Sequence, residues 1–357
     1  MSTVTSADAA RDALPGTGVI RDNGFTPPRW LANGHAQTLW AGLVRRRAPV
    51  PLTPETLELP DGDDLQLFHG PPVRGPVVIV LHGLGGCARS PYVLGLLAAL
   101  RDRGMQGVVM QFRGAGEHLN RRPRFFHAGA IDDLESTVER VRRAFPARPI
   151  AVVGFSMGGI VTLNWLGARG DRTGVDHAIT VSTPLHLARC ADHLDSGVRR
   201  VYDRHLVRGL LRLVRRKQAQ QDLGLPAGGL RGIRSLRDFD EHVTSPLHGF
   251  RGADDYYRRC SPMRRLANVR VPTRMIQALD DPFVPPDSLP GRSELPASVS
   301  LELSGGGGHV GFVTGASPLH PGYWLDTTIP DMLWQGLEGG GLNARRPPDG
   351  GLLDPAG

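Results

Sequence analysis

From residue 77 onward, short apolar runs rich in β-branched residues alternate with longer helical patterns, and this alternation constrains the fold more than any other feature. The runs are Val77 to Leu81, Val108 to Phe112, Ile150 to Val153, Ala178 to Val181, Arg274 to Leu279 and Val299 to Leu303. Helical patterns lie between them around Tyr92 to Arg103, Ile131 to Phe145 and Met157 to Leu166, and another follows near the end, Pro330 to Leu337. Strands that are apolar at successive residues, linked by helices, predict an α/β fold with a mostly parallel, doubly wound sheet covered on both faces. Ahead of them, Glu58 and Leu59 meet the turn Pro60-Asp61-Gly62-Asp63, and Leu65, Leu67 and His69 alternate beyond it, which predicts a hairpin.

Between Thr183 and Arg265 the strand signals stop and helical, charged sequence takes over. The expected organisation is therefore a core of residues 25–183 and 265–338 with a helical cap, 184–264, inserted between two sheet strands. Residues 25–50 read as a strap without clear period, residues 1–24 as a flexible arm and residues 339–357 as a disordered tail. A chain of 357 residues with 40% hydrophobic and 22% charged residues can bury one large core and is not a disordered polymer. Three scattered cysteines, Cys87, Cys190 and Cys260, are too few for a disulfide framework and favour a reducing compartment. No apolar run approaches the ~20 residues that cross a bilayer, and no signal-peptide pattern opens the chain, so a cytoplasmic protein is expected.

Charge is distributed unevenly. Lysine and arginine number 42 against 35 acids, a net +7, and Lys217 is the single lysine. Eight bases and one acid, Asp203, fall between Val198 and Lys217, so this segment carries the whole excess. Val207, Leu210, Leu211 and Val214 lie on one face of a helix there, and Arg204, Arg208, Arg212 and Arg215 on another. Such a basic amphipathic helix packs its apolar stripe on a core, and its arginine face can also meet an anionic membrane surface, a peripheral contact through residues 198–217. Nucleic-acid binding is not expected, because the aromatic, zinc and helix-turn-helix signatures are missing. No metal is expected either: Asp61, Asp63 and Asp64 read as turn residues and no H-E-x-x-H occurs.

The run ending at Gly154 leads into Gly154-Phe155-Ser156-Met157-Gly158, a G-x-S-x-G pattern. Alone the pattern is weak, but here it lies between a strand and a helix, the context in which the serine occupies a sharp, strained turn with its hydroxyl exposed. Glycines on either side leave room for strand and helix to approach. A serine hydroxyl needs a base to attack at neutral pH, and in this architecture an acid and then a histidine follow in loops beyond late strands. Two such strands end suitably, one in Asp280-Asp281-Pro282 and the other in Ser304-Gly305-Gly306-Gly307-Gly308-His309. The candidate catalytic residues are thus Ser156, Asp281 and His309, with Asp280 the competitor for the acid and His320 the nearest rival base. The glycine tract is expected to let His309 swing toward Ser156. His82-Gly83-Leu84-Gly85-Gly86 follows the third strand candidate, and the backbone N–H groups of Leu84 and Met157 are the candidate oxyanion hole. A phosphate-cradling loop would need a Gly-Lys-Ser/Thr ending, which does not follow.

Several blocks together resemble the α/β-hydrolase superfamily, and within it the YheT-like esterase branch related to the α/β-hydrolase-domain lipid esterases. They are Trp30 to Thr38, His82 to Gly86, Phe112-Arg113-Gly114 with Asn120 to His127, Gly154 to Gly159, Phe239-Asp240, Thr244 to Phe250, Asp254 to Tyr257, Asp280 to Phe283 and Gly308 to Phe312. The resemblance assigns the nucleophile to Ser156, the acid to Asp281 and the base to His309. It implies a carboxylic ester hydrolase acting without cofactor on small hydrophobic esters, with short- to medium-chain acyl groups or monoacylglycerol-like lipids. The same triad serves thioesterases and amidases, and a catalytically silent scaffold of this fold is the alternative from another class.

Overall fold

The computed structural model describes residues 17–225 and 228–339. The described residues form a nine-stranded sheet in the order β1-β9-β8-β7-β6-β4-β5-β3-β2 and a separate hairpin, β10-β11. The strands are β1 (Val19–Asp22), β2 (Thr53–Glu58), β3 (Asp64–His69), β4 (Val77–Leu81), β5 (Gln106–Gln111), β6 (Ile150–Phe155), β7 (His177–Val181), β8 (Thr273–Ala278), β9 (Val299–Ser304), β10 (Val313–Ser317) and β11 (His320–Tyr323). From β1 through β5 every neighbour is parallel, while the β2–β3 hairpin joins β5 antiparallel.

Alternation of side chains splits the apolar strands between two layers. Val77, Ile79 and Leu81 of β4 pack on one face with Leu134, Val138 and Trp165, from α3 (Ile131–Ala144) and α4 (Met157–Arg169). Val78 and Val80 pack on the other with Leu96 and Leu97 of α2 (Pro91–Asp102) and Leu333 of α11 (Trp324–Gly339). The chain runs from β4 to β5 on one side and from β5 back across β4 to β6 on the other. The carboxyl ends of β4 and β6 therefore flank the switch point, where open α/β sheets place their ligands.

Between β7 and β8 lie only helices among the described residues: α5 (Leu187–Leu194), α6 (Arg200–Gln218), α7 (Leu236–Phe239), a π-helical turn (Asp240–Thr244), α8 (Ser245–His248), α9 (Ala253–Cys260) and α10 (Met263–Leu266). The apolar stripe of α6 is buried, with Val207 and Val214 at 2% and 1% exposure.

Three expectations need correction. Residues 19–22 of the expected flexible arm form β1, a parallel edge strand on β9; Gly18 lies so close to the Val299 carbonyl that a Cβ there would stand 2.4 Å from its oxygen. Residues 1–16 and 340–357 lie outside the described residues. The strap contains α1 (Gly34–Leu43), capped by the Asn33 side chain accepting from the His35 and Ala36 N–H groups. The last helix starts at Trp324 rather than near Pro330, which sits inside it; Leu325 and Ile329 are buried on the preceding turn, and that burial outweighs the proline signal.

Candidate active site

β6 ends at Phe155 and α4 begins at Met157, so Ser156 alone makes the turn, at φ 50° and ψ −113°. Backbone of this kind costs a residue with a side chain about 1–3 kcal/mol and persists only where the surroundings fix it. Here the Ser156 N–H donates to the Val181 carbonyl at 2.8 Å, and the Ser156 carbonyl accepts from Ile160 at 3.0 Å. The flanking glycines are a steric requirement. A Cβ at Gly154 would stand 2.5 Å from the Gly158 oxygen, and one at Gly158 would stand 2.4 Å from the Leu81 oxygen.

His309 Nε2 lies 2.9 Å from Ser156 Oγ, and its Nδ1 lies 3.0 and 2.9 Å from the two carboxylate oxygens of Asp281. Donation from Nδ1–H to the carboxylate leaves the Nε2 lone pair for the serine proton, the tautomer a general base requires. Asp281 is buried and also accepts from the Phe283 N–H at 2.8 Å and from Gln277 Nε2 at 3.0 Å. Asp280 faces elsewhere: its Oδ1 accepts from the Gly308 N–H at 2.8 Å, and burial holds its carboxyl above the usual range. His320, the rival base, is exposed on β11.

The loop carrying His309 is tied at successive residues. The His309 N–H donates to Thr38 Oγ1 at 2.9 Å, Val310 N–H to Ser182 Oγ at 3.0 Å and Phe312 N–H to the Gly307 carbonyl at 2.9 Å. Val310, β-branched, is held at φ 56°. The glycine tract thus supplies tight turns, Gly307 at φ 142° and Gly308 at φ 61°, where free travel of the loop was expected. The Phe283 ring covers the imidazole, stacked at 4.1 Å between centroids.

Gly83 to Gly86 form a turn closed by Gly86 N–H donating to the Gly83 carbonyl at 3.0 Å, with Gly85 at φ 72°. The turn lies against the serine, since a Cβ at Gly83 would stand 3.3 Å from Ser156 Cβ. Neither the Leu84 N–H in this turn nor the Met157 N–H at the start of α4 donates to a protein acceptor among the described residues. Two unspent donors therefore lie in the segments flanking the serine, the second at the positive end of a helix. His82 anchors the turn: burial lowers its imidazole to about 4, so it is neutral, sharing Nδ1 with the Gly83 carbonyl at 2.9 Å and accepting at Nε2 from the Phe112 N–H at 3.3 Å. Tyr92 Oη accepts from the Gly83 N–H at 2.8 Å.

Ser156, His309, Leu84 and Met157 line one cavity of about 270 Å³, roofed by cap residues such as Leu206 and Leu210 and flanked by Ala41 of α1. The supporting roles of Thr38, Ser182, Gln277 and Phe283 escape a reading of the sequence. Thr38 and Phe283 fall inside the resemblance blocks, but nothing in their spacing marks a role, and Ser182 and Gln277 carry no signal. The aspartates Asp61 and Asp63 accept from Arg113 at 2.7 and 3.0 Å; Arg113, Asp63 and its further partner Asp133 are buried, and Asp61 is partly exposed.

A family model described as "alpha/beta hydrolase fold" matches residues 76–316. The chain is 40% identical to YheT of Escherichia coli (strain K12), named as an esterase, over 88% of this chain and 94% of that one. It is 29% identical to mouse phospholipase ABHD3, over 82% of this chain and 74% of that one. It is 32% identical to the monoacylglycerol lipase of Saccharomyces cerevisiae, over 66% of this chain and 55% of that one. Among solved structures, the Pyrococcus furiosus esterase Pf2001 superposes with a TM-score of 0.51 at 15% identity, covering 88% of this chain and 98% of that one, a likeness of fold.

Proposed function

The chain belongs to the α/β-hydrolase family, in the branch that holds YheT, and from that premise we propose that Ser156, His309 and Asp281 cleave esters of hydrophobic acyl groups through an acyl-enzyme. It is a carboxylic ester hydrolase, as its relatives named esterase and monoacylglycerol lipase support. Ser156 Oγ attacks the ester carbonyl as His309 Nε2 takes its proton, and the Leu84 and Met157 N–H groups hold the oxyanion. His309 returns the proton to the leaving alcohol. It then draws a proton from water, whose hydroxide adds to the acyl carbon, and Ser156 leaves protonated. Asp281 keeps the imidazole in its working tautomer and stabilises the imidazolium. No step calls for a cofactor.

The observation that carries this reading is the 2.9 Å contact from Ser156 Oγ to His309 Nε2 in the lining of a largely apolar cavity. A fluorophosphonate probe tests it: wild-type protein should label and Ser156→Ala should not, whereas equal labelling or none in wild type would sink the proposal. Profiling esters of increasing acyl length beside the matching acyl-CoA thioesters then separates esterase from thioesterase; short- to medium-chain esters, up to monoacylglycerol-like lipids, are the expected substrates.

The substrate is collected, on this reading, at an anionic membrane surface. The exposed stripe of α6 reads Val201, Arg204, His205, Arg208, Arg212 and Arg215, while the opposite side of the helix contributes Leu206 and Leu210 to the cavity. Leu43 and Val44, at 76% and 51% exposure, add apolar surface at the end of α1, beside the cavity residues Ala41 and Gly42. No helix among the described residues is long and apolar enough to cross a membrane, so the contact is peripheral. A cytoplasmic setting suits three cysteines that remain free.

A further inference from the structure

The cavity has one feature that ester cleavage leaves unused. On its cap side a carboxyl group, Asp240, lines the wall together with Thr244, Tyr256 and Tyr257. The sequence places it there by an irregularity. Residues 236–248 would make one helical run, but Pro246 has no N–H to give and its ring crowds the carbonyl four residues back. The chain widens to a π-helical turn over Asp240–Thr244, closed by the Ser245 N–H donating to the Asp240 carbonyl. π-Turns of this kind recur at functional sites.

Asp240 is supported by two hydroxyls: Thr244 Oγ1 donates to Oδ1 at 2.7 Å and Tyr257 Oη donates to Oδ2 at 2.8 Å. Each carboxylate oxygen accepts more than one hydrogen bond, so both retain capacity. No basic side chain forms an ion pair with Asp240 among the described residues. Arg237, the cation whose field reaches it, is engaged elsewhere, on Asp192 at 3.0 Å and Asp254 at 2.6 Å, with its guanidinium over the Tyr257 ring. Burial raises the Asp240 carboxyl to about 6, against the pull of its two hydroxyl donors. A carboxylate set in an apolar wall without a cation is costly to keep unless something bonds to it. The remaining side open to a donor is the cavity.

We propose that Asp240, braced by Thr244 and Tyr257, recognises a hydrogen-bond donor, a hydroxyl or an ammonium group, on the part of the ester that lies under the cap. The inference rests on the ester-hydrolase reading above and refines its substrate class, from a plain alkyl ester to one whose chain ends in a polar donor. Asp240 is a specificity determinant here and takes no part in the acyl transfer.

The test compares isosteric esters. On the acyl side, ethyl 6-hydroxyhexanoate and ethyl 6-aminohexanoate are set against ethyl heptanoate; on the alcohol side, 6-hydroxyhexyl butyrate is set against heptyl butyrate. In wild type one pair should show at least about a ten-fold preference in kcat/KM for the donor-bearing member, the scale of a hydrogen bond to a charged acceptor. The responding pair identifies which half of the ester sits under the cap. In Asp240→Leu the preference should collapse to about one while turnover of the alkyl esters and fluorophosphonate labelling of Ser156 persist. Asp240→Asn, which preserves shape and tests the same point if the leucine variant fails to fold, should lose any ammonium preference. A merely structural role would lower all esters alike and leave the ratios untouched. Equal rates within both wild-type pairs, a preference that survives Asp240→Leu, or an ammonium preference that survives Asp240→Asn, would overturn the inference. Absence of turnover and of labelling together would instead overturn the ester-hydrolase reading, so the two failures are distinguishable.

Discussion

The acid loop after β8 and the cap helix α6 both carry charged groups out of water, and they stabilise them in opposite ways. Beyond β8 the partners come from within a few residues: Asp281 accepts, besides His309, from Gln277 and Phe283, four and two residues away. In α6, Lys217 is fully buried and its ammonium reaches back 97 residues to Asn120 and also to the Arg124 carbonyl at 2.9 Å. Asp203, one end of the same helix, is buried against the Leu236 N–H at 2.9 Å, and burial raises its carboxyl to about 6. Local partners hold the catalytic acid in place. Distant partners fasten one body of the protein to another.

The comparison is tested most severely at the two adjacent aspartates. Asp281→Asn replaces an acceptor of the His309 Nδ1 proton with an amide and should lower kcat by about 10³–10⁴-fold, the scale seen when a triad imidazole loses its tautomer control. Asp280→Asn keeps an oxygen that can accept from the Gly308 N–H, touches no atom of His309 or Ser156 and should cost about ten-fold or less. Steady-state kinetics on one soluble ester decides it, and a reversed ranking would move the acid to Asp280.

For the cap, the corresponding variant is Lys217→Met, read in stability rather than rate. It leaves the Asn120 side chain and the Arg124 carbonyl short of a donor and should destabilise the fold by about 1–3 kcal/mol at neutral pH in urea titrations. The pH dependence carries the sign. Burial lowers the Lys217 ammonium to about 8 from its ordinary 10.5. Between those values the unfolded chain holds a proton the folded chain has released, so wild-type stability relative to Lys217→Met should rise as pH climbs from about 8 to 10.5. A flat difference would mean that the ammonium is not desolvated as its burial implies.

The same contrast explains what the sequence could disclose. The glycines around Ser156, the strand before it and the order of acid and histidine are dictated by backbone sterics, and a steric requirement leaves a mark on residue type. The choice of Asp281 over Asp280 depends on where β8 ends, at Ala278, which a run of apolar letters fixes only to within a residue or two. Ser182 and Phe283 act by meeting the histidine loop through space, and Gln277 by donating to Asp281, so no spacing announces them. α1 stayed hidden because its pattern is not amphipathic: Leu39 and Leu43 point outward while Gln37 is buried, donating to the Leu31 and Val313 carbonyls at 2.8 and 3.1 Å. In the cap, Lys217 and Asp203 read only as charges of the basic segment 198–217, and their burial follows from packing against residues 120–125 and 236.

The smallest effect is expected at the cap's outer face, where the charges are solvated and each contributes little. Among the described residues Arg204, Arg208 and Arg215 form no ion pair with an acid, and Arg212 donates to the Arg208 carbonyl at 3.3 Å. A basic residue near an anionic bilayer contributes about 1 kcal/mol, and this falls off within a Debye length. Arg208→Gln should therefore weaken flotation on vesicles containing phosphatidylserine about five-fold at low salt, with little change on neutral vesicles or in 0.5 M salt, a concentration chosen to screen the charges to about 4 Å. Turnover of a soluble ester should not change, since Arg208 lies on the side of α6 away from the cavity. Binding that is insensitive to both salt and lipid charge would leave the stripe a solvated helix face, and the apolar surface at Leu43 and Val44 would then have to account for any membrane contact.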